Sequence, residues 1–232
     1  MSGLYLLRLP VHLPRLLRFA IEHGIQQEDE TLGYTLHAWL TALFGEAAPN
    51  PFRYFEKRHA VLAYARADVA RLLSIAEQRG SLAALAALDA TNVASKPMPV
   101  NWRTGQRLHL EVLTCPVSRK DDEEKDVYLR ALDQLGEAAP PRGEVYRQWF
   151  ARQWHDAVDF EQIEHLGMTA RARFLRRARN GSNRLLTIER PQALFGAEAV
   201  LRDPERFAAL LLRGIGRHRA FGFGMVLLAP PR

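Results

Sequence analysis

The sequence predicts an α+β fold built on antiparallel sheet, and three observations carry that reading. Segments of strand and helix periodicity follow one another as strand, helix, strand, strand, helix, strand through the first half of the chain. The segment from Met168 to Arg190 switches to a period of two. Over 232 residues, 47% hydrophobic against 25% charged residues is enough for a packed core, and the length allows no more than about two compact domains.

Leu4 to Leu9 is a short apolar run stopped by Pro10 and Pro14, which reads as a buried strand. Glu28-Asp29-Glu30-Thr31 is an acidic helix start, after which Leu32, Leu36, Trp39, Leu40 and Leu43 recur at helical spacing up to Gly45. Phe52 to Arg66 reads as two strands about a turn at Glu56-Lys57-Arg58-His59. Asp68 to Gly80 returns to helical spacing through Val69, Leu72, Leu73 and Ala76, with an Ala/Leu run at Leu82 to Leu88 behind it. Gln106 to Thr114 alternates well enough to be the next strand, closed by Cys115-Pro116. This order is the ferredoxin-like arrangement that RNA-recognition modules use, although fold alone licenses no function. The charge run Asp121 to Asp126 and the punctuation Pro140-Pro141-Arg142-Gly143 mark a linker, and a helix is expected from Glu144 to His155. The expected organisation is therefore a first module over 1–120, a linker over 121–143 and a second module over 144–232.

Composition narrows the function. Lys and Arg number 32 against 26 acids, a net charge of +6, so a polyanion is the first partner to test. A single cysteine, Cys115, forms no internal bridge and builds no thiolate zinc site. The start lacks a basic n-region followed by a long apolar stretch, and no segment approaches a membrane span, so a cytoplasmic protein without a membrane partner is expected.

The charge is not spread evenly. Between Met168 and Arg190 stand seven arginines, Arg171, Arg173, Arg176, Arg177, Arg179, Arg184 and Arg190, against one acid, Glu189. That segment alone accounts for the whole excess. From Thr169 the odd positions are Thr169, Arg171, Arg173, Leu175, Arg177 and Arg179, and the even ones are mostly apolar, so a strand would show arginines on one face. Asn180-Gly181-Ser182-Asn183 is turn chemistry, and Arg184 to Arg190 returns as the partner strand. A two-stranded arginine ribbon suits phosphate and groove contacts. The competing reading is a sheet edge that uses like charges against aggregation, though such edges favour lysine and mixed signs.

The run Arg213-Gly214-Ile215-Gly216-Arg217-His218-Arg219-Ala220-Phe221-Gly222-Phe223-Gly224 places four glycines beside three arginines ahead of a strand from Met225 to Leu228. It permits close approach to a phosphate chain and equally serves as a glycine-permitted turn. It is neither a dinucleotide fingerprint nor a P-loop, so no nucleotide cofactor is implied.

On the first helix, Tyr34 and His37 are three residues apart and share a face opposite Leu36, Trp39, Leu40 and Leu43. An imidazole exchanges protons near neutrality and a phenol donates a hydrogen bond, the tools needed to cut RNA through its own 2′-hydroxyl without a metal. No histidine pair has metal-ligand spacing, and no serine-hydrolase elbow is present. By itself the pair is weak evidence, since a lone exposed histidine is more often incidental.

Taken together, the strand Leu4 to Leu7, the Tyr34-Thr35-Leu36-His37 helix, Phe55-Glu56-Lys57-Arg58 and the tail from Arg213 to Pro230 resemble the CasE family, the CRISPR RNA-processing endoribonucleases of Cascade-type systems. The likeness in order spans nearly the whole chain, with the tail and the Tyr-x-x-His element as its specific parts. The resemblance implies two tandem ferredoxin-like (RRM-like) domains and metal-independent cleavage at the base of the repeat's stem-loop, leaving a 2′,3′-cyclic phosphate and a 5′-hydroxyl. It implies His37 as general acid/base and Tyr34 as its partner, with His218, where the family tends to have a small residue, as a possible accessory. It implies RNA contacts from the basic hairpin, Arg171, Arg173, Arg176, Arg177, Arg179 and Arg184, and from Arg217 and Arg219, the latter standing where the family usually has lysine. Arg119 and Lys120 join them through a looser match around Cys115-Pro116. No cofactor and no metal are implied. The partners implied are the crRNA stem-loop and the other subunits of a Cascade-type effector complex. The segment Pro10 to Gln27 is longer than the resemblance leads one to expect. A non-catalytic subunit that binds structured RNA, and a general RNA chaperone, are the alternatives.

Overall fold

The computed structural model describes residues 3–25, 29–178 and 184–231. Arg179 and the turn expected at Asn180-Gly181-Ser182-Asn183 lie outside them, as does Glu28 of the expected helix start. The chain forms two compact units. The first comprises 1–100, 173–189 and 219–222, and the second 101–172, 190–218 and 223–232.

In the first unit, β1 (Tyr5–Pro10) is followed by helices α1 (Leu13–Glu22) and α2 (Gly33–Phe44), then β2 (Phe52–Phe55), β3 (Ala60–Ala65), α3 (Val69–Arg79), α4 (Leu82–Ala87) and β4 (Ala94–Pro97). The sheet order is β2-β3-β1-β4, with β1 antiparallel to both neighbours. This is the ferredoxin-like βαββαβ order read from the sequence. Its fourth strand is not the one expected: Ala94–Pro97 takes the edge place assigned to Gln106–Thr114. The physical reason is that β4 is short, mostly exposed, and carries Lys96 and Pro97, so it follows edge-strand chemistry and gives no apolar signal.

Leu36, Trp39, Leu40 and Leu43 of α2 pack with Leu7 and Leu9 of β1 and Phe52, Val61 and Ala63 of β2 and β3, all nearly solvent-free. Trp39 also donates its indole N–H to the Ala84 carbonyl at 3.0 Å, so its polar atom is satisfied within the core. Burial of these four side chains fixes which face of α2 points outward. That face carries Tyr34 and His37.

The second unit starts with β5 (Arg107–Thr114) and the small hairpin β6 (Val117–Lys120) and β7 (Glu123–Asp126). Helices α5 (Val127–Leu135) and α6 (Arg142–Arg152) follow, then the long strands β8 (Val158–Arg177) and β9 (Leu185–Leu201), α7 (Pro204–Arg213) and β10 (Val226–Ala229). The sheet order is β10-β5-β9-β8, which repeats the topology of the first sheet with β5 in the place of β1. Gln106–Thr114 therefore opens the second ferredoxin-like arrangement instead of closing the first. It is one of the two inner strands, registered Arg107 to Val200 on β9 and Val112 to Val226 on β10. The stretch 121–143, expected as a linker, carries β7 and α5. Its core is aromatic: Phe150 stacks on Phe195 with centroids 4.3 Å apart, and Trp154 meets Phe160 and Phe207.

Among the described residues no helix is long and apolar enough to cross a membrane.

Candidate active site

Helix α2 begins at Gly33 and not at the acidic run ahead of it. Leu32 precedes it in a left-handed conformation, φ 54°, and offers no side-chain cap. Asp29 does that work instead. Its carboxylate, 3% exposed, accepts from the amides of Thr35 at 2.8 Å and Tyr34 at 3.3 Å, two of the amides that a helix start leaves without partners. The same carboxylate accepts from the Leu175 amide at 3.2 Å, and the Thr31 amide donates to the Arg173 carbonyl at 3.3 Å. One buried acid therefore holds both the start of α2 and the arginine-bearing strand.

Gly33 explains how the short 3-10 turn Arg219–Phe221 lies against this helix start. A β-carbon at Gly33 would stand 2.6 Å from the Phe221 carbonyl oxygen, a distance only glycine avoids. Phe221 then stacks at 30° on Tyr34 with centroids 6.2 Å apart and meets His37 edge-on at 6.0 Å. Tyr34 and His37 are 6.4 Å apart between ring centroids. Phe174 supports Phe221 from beneath at 5.5 Å.

The three rings and Ala38, Thr41, Ala42, Arg176 and Arg177 line a cleft of about 580 Å³. Arg177 donates from its guanidinium to the Tyr34 hydroxyl at 3.5 Å. His37 is half-buried, and that burial holds its pKa below the usual imidazole value because the charged form loses hydration. The arrangement thus offers a neutral imidazole near pH 7, a phenol, two guanidiniums and an aromatic wall. These groups suit a reaction that removes a proton from a hydroxyl while negative charge grows on a phosphate.

The ribbon keeps its predicted alternation only in part. Arg171 and Arg173 are exposed while Ala172 and Phe174 are buried, as a period of two requires. Leu175 breaks the phase: expected on the arginine face, it is fully buried against Ala20 and Ile25. Its amide goes to Asp29, and Arg176 becomes half-buried next to it. The two faces of the ribbon are both covered at this point, one by Phe221 and the other by α1, so apolar residues occur consecutively.

The remaining expected RNA contacts divide into distinct groups. Arg184 is exposed and Arg219 is half-buried on the 3-10 turn. Arg173 is engaged with acids, 2.7 Å from Glu189 and 3.5 Å from Glu30. In the second unit Arg119 pairs with Asp122, and Lys120 beside it is exposed.

Arg217 and His218 are tied to Glu124, a residue read from the sequence as part of a solvated charge run. The Glu124 side chain is only 5% exposed and accepts from Arg217 at 2.7 Å, His218 Nε2 at 2.8 Å and Arg190 at 2.8 Å. Burial alone would raise this carboxyl, but the three hydrogen bonds outweigh it and hold it well below the usual carboxylate range. The His218 side chain, 4% exposed and at φ 60°, is committed to that cluster. Within the same tail Gly224 is required by packing, since a β-carbon there would come within 2.2 Å of the Ile215 carbonyl oxygen.

Of the residues singled out in the sequence, Tyr34, His37, Arg176 and Arg177 line one cleft, whereas Asp29 as a cap, Phe221 as a wall of that cleft and Glu124 as a buried anchor carried no local signal. Among the described residues no group of three or more His, Cys, Asp and Glu side chains is gathered in a way that could hold a metal ion.

The family model for CRISPR associated protein matches residues 4–230. A comparison with curated protein sequences gives no match. Solved structures resemble the whole chain. One is the CRISPR endoribonuclease Cse3 bound to a 19-nucleotide RNA, at 17% identity and a TM-score of 0.66, covering 99% of this chain and 100% of that one. Another is Cse3 from Thermus thermophilus bound to an RNA representing a pre-cleavage complex, at 18% identity and a TM-score of 0.65, covering 98% of this chain and 100% of that one. A third is the CRISPR-associated protein Cas6e from Escherichia coli K-12, at 15% identity and a TM-score of 0.59, covering 97% of this chain and 99% of that one. At these identities the likeness establishes a shared fold.

Proposed function

The chain belongs to the CRISPR-associated protein family, and from that premise we propose that it is a metal-independent endoribonuclease that cuts CRISPR repeat RNA at the base of its stem-loop. The observation that carries the proposal is the cleft in which Tyr34, His37 and Phe221 meet beside Arg176 and Arg177. Two structures of like fold support it, one described as a CRISPR endoribonuclease bound to RNA and the other as bound to an RNA representing a pre-cleavage complex.

In this reading the ribose at the cut site enters with its 2′-hydroxyl toward His37. His37, kept neutral by burial, takes the hydroxyl proton as the oxygen attacks the adjacent phosphorus. Arg177 and the Tyr34 hydroxyl face the non-bridging oxygens and stabilise the charge that accumulates there. Phe221 walls the cleft in which the nucleotide lies. The phosphorus–5′-oxygen bond then breaks and the departing 5′-oxygen takes up a proton on the side opposite His37, leaving a 2′,3′-cyclic phosphate and a 5′-hydroxyl. Arg171, Arg176, Arg184 and Arg219 hold the backbone of the stem-loop, and Arg119 and Lys120 add further contacts to it. The product stays bound, and the protein serves as a subunit of a Cascade-type effector complex in the cytoplasm.

The test is incubation with the repeat transcript in EDTA, beside the same RNA carrying a single 2′-deoxy nucleotide on the 5′ side of the cut. Cleavage of the first and survival of the second is expected. Cleavage of the deoxy substrate, or dependence on a divalent metal, would overturn the proposal.

A further inference from the structure

A second cleft, of about 570 Å³, is lined by His23, Ile25, Tyr34, Arg177, Arg184 and Leu185, among others. It shares Tyr34, Ala38 and Arg177 with the cleft that holds His37. Tyr34 and Arg177, joined by the hydrogen bond to the Tyr34 hydroxyl, thus line both histidine-bearing clefts. His23 closes α1, within the segment that is longer than the family resemblance leads one to expect.

The His23 ring is fixed in one orientation. Its Nδ1–H donates to the Phe19 carbonyl at 2.8 Å, and the ring packs on Phe19 at 4.0 Å between centroids. A carbonyl oxygen only accepts, so Nδ1 carries the proton in the neutral ring as well as in the charged one. Nε2 is thus the ring nitrogen that is not committed to the Phe19 carbonyl. His23 is exposed, and it lines the cleft with two arginines.

We propose that His23 is a second catalytic residue, the general acid that protonates the leaving 5′-oxygen, paired across the Tyr34–Arg177 ridge with His37 as the base. This rests on the endoribonuclease reading above. An in-line displacement at phosphorus puts the attacking and leaving oxygens on opposite sides of the phosphate, so a base and an acid are needed on opposite sides too. The proton from the 2′-hydroxyl goes to His37, the 2′-oxygen–phosphorus bond forms, the phosphorus–5′-oxygen bond breaks, and His23 Nε2–H supplies the proton that makes the 5′-hydroxyl. Solvent restores both rings.

The experiment uses single-turnover cleavage by the full chain of two synthetic repeat hairpins, one natural and one with sulfur in place of the bridging 5′-oxygen at the mapped cut. A thiolate leaves without a proton, so loss of a general acid is not felt there. In His23→Asn the amide can still donate to the Phe19 carbonyl while Nε2 is gone. His23→Asn is expected to cut the natural hairpin about 100-fold more slowly and the sulfur hairpin within a few-fold of the unmutated chain, whereas His37→Ala is slow on both. Unchanged cleavage of the natural hairpin by His23→Asn, or an equal loss on both hairpins, overturns the proposal while the endoribonuclease reading stands. If the unmutated chain leaves both hairpins intact, that reading falls, and the role of His23 with it.

Discussion

The carboxylate of Asp29 accepts a hydrogen bond from the Leu175 amide at 3.2 Å while it caps the first amides of α2. The helix that presents Tyr34 and His37 and the strand that presents Arg176 and Arg177 are therefore set against each other by one buried side chain. Positioning of this kind decides whether a base and a cation meet the same phosphate, because small misplacements cost large factors in rate.

Asp29→Ala removes a helix cap and leaves the Leu175 amide without its acceptor. We expect a stability loss of about 2 kcal/mol, read from thermal or urea unfolding. Below the unfolding transition, single-turnover cleavage should fall more than RNA affinity falls. Equal losses in the two would mean that Asp29 serves folding alone.

Burial lowers the pKa of His37, and this sets the acid limb of the pH profile. As a base His37 works only when neutral, so the rate falls as pH drops through its folded-state value. Measured at limiting RNA, where free protein is reported, the half-point of that limb should lie below about 6.5. A half-point above it contradicts the assignment. The same shift makes the unfolded chain bind protons first, so the stability contribution of His37 is present above about pH 6.5 and lost progressively below it.

The arginines of the ribbon should not be equivalent. Arg173 is already paired with Glu189 and Glu30, whereas Arg184 is exposed and lines the cleft beside Tyr34. Arg184→Ala should weaken repeat RNA binding several-fold and lower the salt dependence of log affinity by about one. Arg173→Ala should change both less. Filter binding across a salt series distinguishes them, and equal effects would show that ion pairing does not matter at Arg173.

How far the sequence could be read follows from what each residue's neighbours are. The outward face of α2 was legible because Leu36, Trp39, Leu40 and Leu43 mark the opposite face by period alone. The ferredoxin-like order was legible, but its fourth strand was not, since Ala94–Pro97 is polar and short and a better-patterned strand lay downstream. Helix α7 left a usable signal: Asp203 before Pro204 caps the amides of Glu205 and Arg206, and Phe207, Leu210 and Leu211 form a buried stripe. Leu175 and Glu124 could not be read. Leu175 is buried by α1, and Glu124 is enclosed by Arg190, Arg217 and His218, all distant in sequence, so local pattern gave no hint of either.

Glu124 is expected to be a folding residue. Its replacement by glutamine withdraws the charge that three cationic or hydrogen-donating groups share, and a loss of about 3 kcal/mol follows from breaking a buried ionic cluster. Because its folded-state value is depressed, its contribution is present above about pH 4.5 and declines only as pH falls below that. Urea unfolding of Glu124→Gln at pH 7 measures it, and a change under 0.5 kcal/mol, the scale of an ordinary surface substitution, would contradict the buried cluster.

The central claim is that the imidazole of His37, in the cleft with Tyr34 and Phe221, carries out chemistry on RNA. The most direct measurement is the single-turnover cleavage rate of repeat RNA by His37→Ala with RNA affinity measured in parallel. The substitution should lower the rate at least about 100-fold with affinity within a few-fold of the unmutated chain. A variant that cuts at the original rate, or one whose lost activity is matched by an equal loss of binding, would contradict the claim.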